Sequence, residues 1–138
     1  MLRIMPQFRI AEVAGLLGVS DDTVRRWVDQ GALAASTDDH GRLVVDGADA
    51  ARRAVEVADA ADDPSSVGRS ARNRFVGLVT RVIRDGVMAQ VDIQAGPHRV
   101  VSLMSAEAVD ELGLEVGTLA VAVVKATTVI VETPGGSR

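Results

Sequence analysis

The chain has 138 residues, 47% hydrophobic and 25% charged, with no cysteine, one tryptophan and a net charge of −4. That length holds one ordinary domain or two small ones, and the composition is that of a folded protein rather than a disordered tail. The lack of cysteine excludes disulfides, thiolate metal sites and a cysteine nucleophile; His40 and His98 stand too far apart for a histidine metal centre, no stretch approaches the ~20 apolar residues of a membrane span, and no secretory leader is read at the start, so a cytoplasmic protein with no membrane partner is expected.

The first half alternates at helical spacing. Ile10, Val13, Ala14 and Leu17 make one amphipathic face, and Gly18 is placed to stop that helix. Ser20 is a good N-cap for a second helix, Asp21 and Asp22 suit the positive end of its dipole, and Val24, Trp27 and Val28 form its inward stripe before Gly31. Two short helices joined by Gly18-Val19-Ser20 read as a helix-turn-helix. Leu33 and Leu43-Val44-Val45 flank Asp38-Asp39-His40-Gly41, a hairpin or wing. Asp46 is placed to cap a third helix running to about Ala58, with Ala51, Ala54, Val55 and Ala58 inward.

Residues 57–69 change character: a helix end gives way to Pro, Ser and Gly, the signature of a linker. After it the pattern is strand-like. Phe75 to Ile83 is rich in β-formers, Asp85-Gly86 is a hairpin turn, and Val87, Ala89, Val91 and Ile93 alternate. Gly96-Pro97 marks a further turn, and His98 to Leu103 makes a third strand. Ser105 can cap a short helix carrying Val109 and Leu112, closed by Gly113. Leu119–Val124 and Val129–Val131 supply two more strands. Met88 and Met104 read as core filler, and His40 and His98 as turn residues. The fold class is therefore α+β and multidomain: a mainly-α winged helix-turn-helix at 1–56, a linker at 57–69, and an OB-like five-stranded β-barrel at 70–138.

Two constellations carry chemistry. From Phe8 to Leu33 the chain resembles the winged helix-turn-helix of the MerR and excisionase group. The resemblance implies that the second helix enters the DNA major groove and that the wing touches the backbone. By position it assigns DNA contacts to Thr23, Arg25, Arg26 and Arg42; arginine can grip guanine edges or phosphate. The charge runs the other way, since residues 1–56 carry seven Arg against nine Asp and Glu.

The second constellation is Ser70-Ala71-Arg72-Asn73 before the first strand, Leu112-Gly113-Leu114, and Lys125-Ala126-Thr127-Thr128-Val129 after the fourth strand. In that order they resemble the Mop, or TOBE, molybdate-binding domain over residues 69–133. Molybdate and tungstate are tetrahedral dianions that only accept hydrogen bonds. Arg72 and Lys125, the one lysine among fifteen basic residues, supply charge. Ser70 and Thr127 supply hydroxyls, and Ala71 and Ala126 let backbone N–H groups approach. With Asn73, these are the candidate oxyanion-binding residues, and molybdate or tungstate is the implied ligand. The resemblance further implies that the two segments of one site come from different subunits, in a homo-oligomer of the hexamer type, a trimer of dimers. One departure is Ala108, where many relatives have Ser; Ser105 is offered as its replacement.

The composite expectation is an oxyanion-responsive DNA-binding regulator, not an enzyme. The competing reading is an intracellular molybdate or tungstate store whose N-terminal module serves assembly, which the acidic balance favours.

Overall fold

A computed structural model describes residues 6–59, 62–64 and 72–134. The chain divides into two compact units, Met1–Asp59 and Ala60–Arg138.

In the first unit, α1 (Ile10–Leu17) buries Ile10, Val13 and Ala14. Gly18 adopts the left-handed conformation (φ 71°) that lets it close the helix, where a side chain would be strained. In α2 (Asp21–Asp29), Ser20 Oγ accepts the Thr23 N–H at 3.1 Å, and Val24 and Trp27 face the core. A small antiparallel sheet completes the unit, with β1 (Gln7–Arg9) and β2 (Ser36–Thr37) on either side of β3 (Leu43–Asp46). The β2–β3 hairpin turns on Asp38. One carboxylate oxygen accepts the N–H groups of His40 and Arg42 at 2.8 and 2.9 Å, the other takes Arg42 Nε at 3.2 Å, and Gly41 sits at φ 76°.

The third helix, α3 (Gly47–Val57), corrects the expected inward face. Ala50 is buried and Val57 packs on the core, whereas Val55 is 79% exposed, Ala51 is exposed and Ala58 lies beyond the helix. The Arg53 guanidinium sits 4.5 Å from the centre of the Trp27 ring, a cation–π contact on the inward side of the helix. Asp46 occupies the N-cap position, but its carboxylate makes no cap bond and accepts Gln7 Nε2 at 3.0 Å.

The second unit is one antiparallel sheet of β4 (Asn73–Arg84), β5 (Met88–Ala95), β6 (His98–Ser105) and β7 (Leu119–Val124), in the order β6-β5-β4-β7. Strand β4 is long because it serves two partners. Asn73 to Leu78 pair with β7, Leu78 to Arg84 pair with β5, and a register shift between Val79 and Arg81 eases the change. Helix α4 (Ala106–Leu112), capped by Ser105 Oγ on the Ala108 N–H, covers the core of Val79, Ala89, Val91, Ile93 and Val109.

Three expectations change here. The fifth strand is absent from the ladders: Val129–Val131 follow a 3-10 turn and remain exposed. Leu112 is 66% exposed because seven residues give α4 a single inward stripe, and Ala106 and Val109 fill it. Val87 and Met88 are exposed, since Val87 belongs to the turn held by the Asp85 carboxylate and Met88 points to the face opposite Ala89.

That opposite face carries a buried carboxylate, Asp92, 4% exposed. Arg99 covers it with Nε and Nη2 at 3.0 and 2.9 Å, and Gln90 Nε2 donates at 3.1 Å. The Gln90 hydrogen bond first, and Arg99 next, hold its pKa below the ordinary 3.8. Stabilisation from ionised Asp92 is then full above 3.8 and is lost as pH falls through the folded-state value. Asp92→Asn is expected to lower the melting temperature of this unit at neutral pH and to flatten its acid dependence, read by circular dichroism melts across the acid range. An acid dependence equal to the parent's would show that Asp92 does not set it.

Candidate functional site

The β4–β7 ladder decides where the anion-binding candidates lie. Asn73 opens β4 and pairs with Val124, the last residue of β7. In antiparallel register the next residues outward are Arg72 and Lys125, both exposed. Asn73 Nδ2 donates to the Val124 carbonyl at 3.1 Å, which ties the start of one segment to the start of the other. Within one chain, Arg72 and Asn73 thus lie beside Lys125. Ser70 and Ala71 lie outside the described residues.

Beyond Lys125 the chain enters a 3-10 turn, Ala126–Thr128. The Thr128 N–H and hydroxyl both donate to the Lys125 carbonyl, at 3.0 and 2.8 Å, and the Val129 N–H donates to the Ala126 carbonyl at 3.3 Å. The amides of Ala126 and Thr127 are the two that such a turn does not use for its own bonds. Both residues are exposed, so these amides, the Thr127 hydroxyl and the Lys125 ammonium share one short loop. Thr128, which sequence reasoning did not single out, shapes this turn through those two bonds to the Lys125 carbonyl. Residues 70–84 and 116–131 contain no Asp or Glu, so no carboxylate from either segment opposes a bound dianion. Arg74, nearby in sequence, is engaged by Asp63 at 2.7 Å. Ser105, offered as the stand-in for the missing hydroxyl at Ala108, uses its Oγ as the α4 cap.

In the first unit, Arg25 from α2 and Arg42, just before β3, line one concavity of about 610 Å³, together with Arg9. Arg9 was not singled out from the sequence. It ends β1 and occupies the N-cap position of α1, and the pairing of β1 with β3 carries it to this surface. Glu12 and Asp21 line the same concavity, and Arg42 is already ion-paired with Asp38. Thr23 does not contribute a free hydroxyl: its Oγ1 lies 3.0 Å from Ser20 Oγ, within the cap. Arg26 is exposed on α2 outside this lining. Among the described residues, no cluster of three or more histidines or carboxylates could hold a metal ion, and no helix is long and apolar enough to cross a membrane.

Comparison with known proteins bears on both units. Residues 69–131 match the TOBE domain, and residues 8–49 match a helix-turn-helix domain. Over 63 residues the chain is 46% identical to a probable molybdenum-pterin-binding protein of Haemophilus influenzae, covering 45% of this chain and 91% of that protein. Over 69 residues it is 33% identical to the molybdenum transport protein ModE of Herbaspirillum seropedicae, covering 49% of this chain; it spans about a quarter, 26%, of that relative's length. A molybdate-binding protein from Sporomusa ovata of known structure is 27% identical, with a TM-score of 0.47, over 49% of this chain and 100% of that one.

Proposed function

Since the chain belongs to the TOBE-domain family and carries a helix-turn-helix domain ahead of that module, we propose that it is a molybdate- or tungstate-responsive DNA-binding regulator. The observation that carries this reading is the register of Asn73 with Val124, which sets two carboxylate-free, cationic segments side by side. A tetrahedral dianion needs converging donors and about two positive charges. Arg72 and Lys125 supply the charge. The Thr127 hydroxyl, the amides of Ala126 and Thr127, and the Ser70–Ala71 segment supply further donors. Asn73 acts through Val124, holding the Lys125 loop in place. Copies of the chain assemble as a homo-oligomer, a hexamer of the trimer-of-dimers type, with oxyanion at the subunit interfaces. Arg25 and Arg42, joined by Arg9, make the DNA contacts; Arg42 exchanges its Asp38 partner for phosphate. Arg26 contacts the duplex from the exposed side of α2, and Thr23 orders the helix start.

Regulation requires that oxyanion and DNA change each other's affinity by the same factor. Titrating the protein onto its own upstream DNA, with and without saturating molybdate, is expected to reveal a shift of roughly 5- to 150-fold. Equal affinities in the two titrations would remove the regulatory role. A second reading, an oxyanion store whose N-terminal unit serves assembly, is favoured by the acidic Glu12 and Asp21 in the arginine-lined concavity. Normal molybdate binding with no DNA binding even at low salt would establish that reading instead.

A further inference from the structure

The segment read as a linker meets strand β4 at Asp63. Its Oδ2 accepts Arg74 Nε at 2.7 Å, and the two side chains are 23% and 14% exposed, so this ion pair is better shielded from water than those of Arg42 and Arg52. A shielded charge-assisted bond holds more firmly than an exposed one. Pro64 follows and biases Asp63 toward extended backbone, which lowers the entropy cost of fixing it there. Arg74 pairs with Val123 across the β4–β7 ladder. Two residues outward on each strand stand Arg72 and Lys125, the cations of the candidate oxyanion site, and residues two apart in extended chain share a face. Lys125 keeps extended backbone, at φ −65° and ψ 139°. Two residues of strand span ~7 Å, which puts the Asp63 carboxylate on the order of 7–10 Å from that cation pair. Residues 70–84 and 116–131 contain no Asp or Glu, so the negative charge at this face comes from the linker.

We propose that Asp63 is an internal anion that bound molybdate or tungstate displaces. With the oxyanion site empty, the Asp63–Arg74 pair holds the linker on β4. A dianion at Arg72 and Lys125 repels the Asp63 carboxylate and attracts the Arg74 guanidinium, so the hold on the linker loosens. Oxyanion binding is thereby passed to the chain segment that leads from α3 of the helix-turn-helix unit. This inference rests on the oxyanion reading above and adds the ion pair that couples it to the linker. A carboxylate at that distance, screened by salt, weakens binding of a dianion roughly 3- to 10-fold. By linkage, the dianion loosens the Asp63–Arg74 pair by the same factor. A purely structural tether, far from the site, would not respond to the ligand.

Isothermal titration of the full chain with sodium molybdate is expected to show Asp63→Ala binding roughly 3- to 10-fold more tightly than the parent. Asp63→Asn, which removes the charge at nearly constant size, should gain as much and guards against a packing effect of the first variant. Asp62→Ala, which removes the neighbouring exposed carboxylate, should stay within about twofold of the parent. Hydrogen exchange of the amides around Asp63, read by mass spectrometry, should quicken in the parent when molybdate is added. In Asp63→Ala it should be fast with or without molybdate. Parent-like molybdate affinity in both Asp63 variants, an equal gain from Asp62→Ala, or parent exchange that ignores saturating molybdate overturns the proposal and leaves the oxyanion site standing. A parent that binds no molybdate removes the site itself, and the proposal with it.

Discussion

Gly77→Ala is expected to unfold the β-sheet unit at a much lower temperature while leaving the helical unit intact. Gly77 pairs with Ala120 of β7, one residue before β4 also takes up β5 at Leu78. A Cβ there would fall on the Gln94 carbonyl oxygen, 2.8 Å from its carbon and 3.0 Å from Ala95 Cα. These are backbone atoms of the central strand, so no rotamer change can relieve the overlap. The cost should lie at or above the upper end of the ~1–3 kcal/mol typical of overpacking, which for a unit this small lowers Tm by more than ~10 °C. Trp27, the only tryptophan, lies in the helical unit. Its fluorescence should therefore report an unchanged transition while far-UV circular dichroism follows the early loss of the sheet. An unshifted sheet transition would mean that the strands move apart more easily than their pairing implies. Molybdate affinity should fall with the sheet, because β4 also holds Asn73 opposite Val124.

Lys125→Ala carries the largest expected effect on ligand binding. A charge-assisted hydrogen bond is worth about 1.5–3 kcal/mol, so removing the ammonium should weaken molybdate binding roughly 10- to 100-fold. Lys125 is exposed and its side chain supports no core contact, so thermal stability should be unchanged. Arg72→Ala should behave similarly. Isothermal titration of both variants against molybdate is the measurement, and parent-like titrations from both would move the site elsewhere. Lys125→Arg should recover only part of the loss, because a planar guanidinium does not replace a compact ammonium in a short loop.

How much of this could be read in advance depended on how local each signal was. The Ser20 cap, the Gly18 stop and the apolar spacing of Ile10, Val13 and Ala14 lie within a turn or two of the bonds they control. The same holds for the turns at Asp85-Gly86 and Gly96-Pro97 between antiparallel strands. Strand β1, with three residues, is too short for any period to show. The inward face of α3 departs from the expected Ala51, Ala54, Val55 and Ala58 stripe, and only the tertiary fold brings Arg53 over the Trp27 ring.

The amino-acid sequence alone determined the two-part organisation, most of the helices and strands, and the chemical types available for an oxyanion and for DNA. Capping, glycine conformation and periodicity all act over a few neighbouring residues. Tertiary structure decided which distant groups meet: Asn73 with Val124, 51 positions away, Arg9 with Arg25 and Arg42 around one concavity, and Val129–Val131 outside the four-stranded sheet. Strand pairing and edge exposure are set by which backbone groups find partners across the whole unit, and no local run of residues encodes that choice.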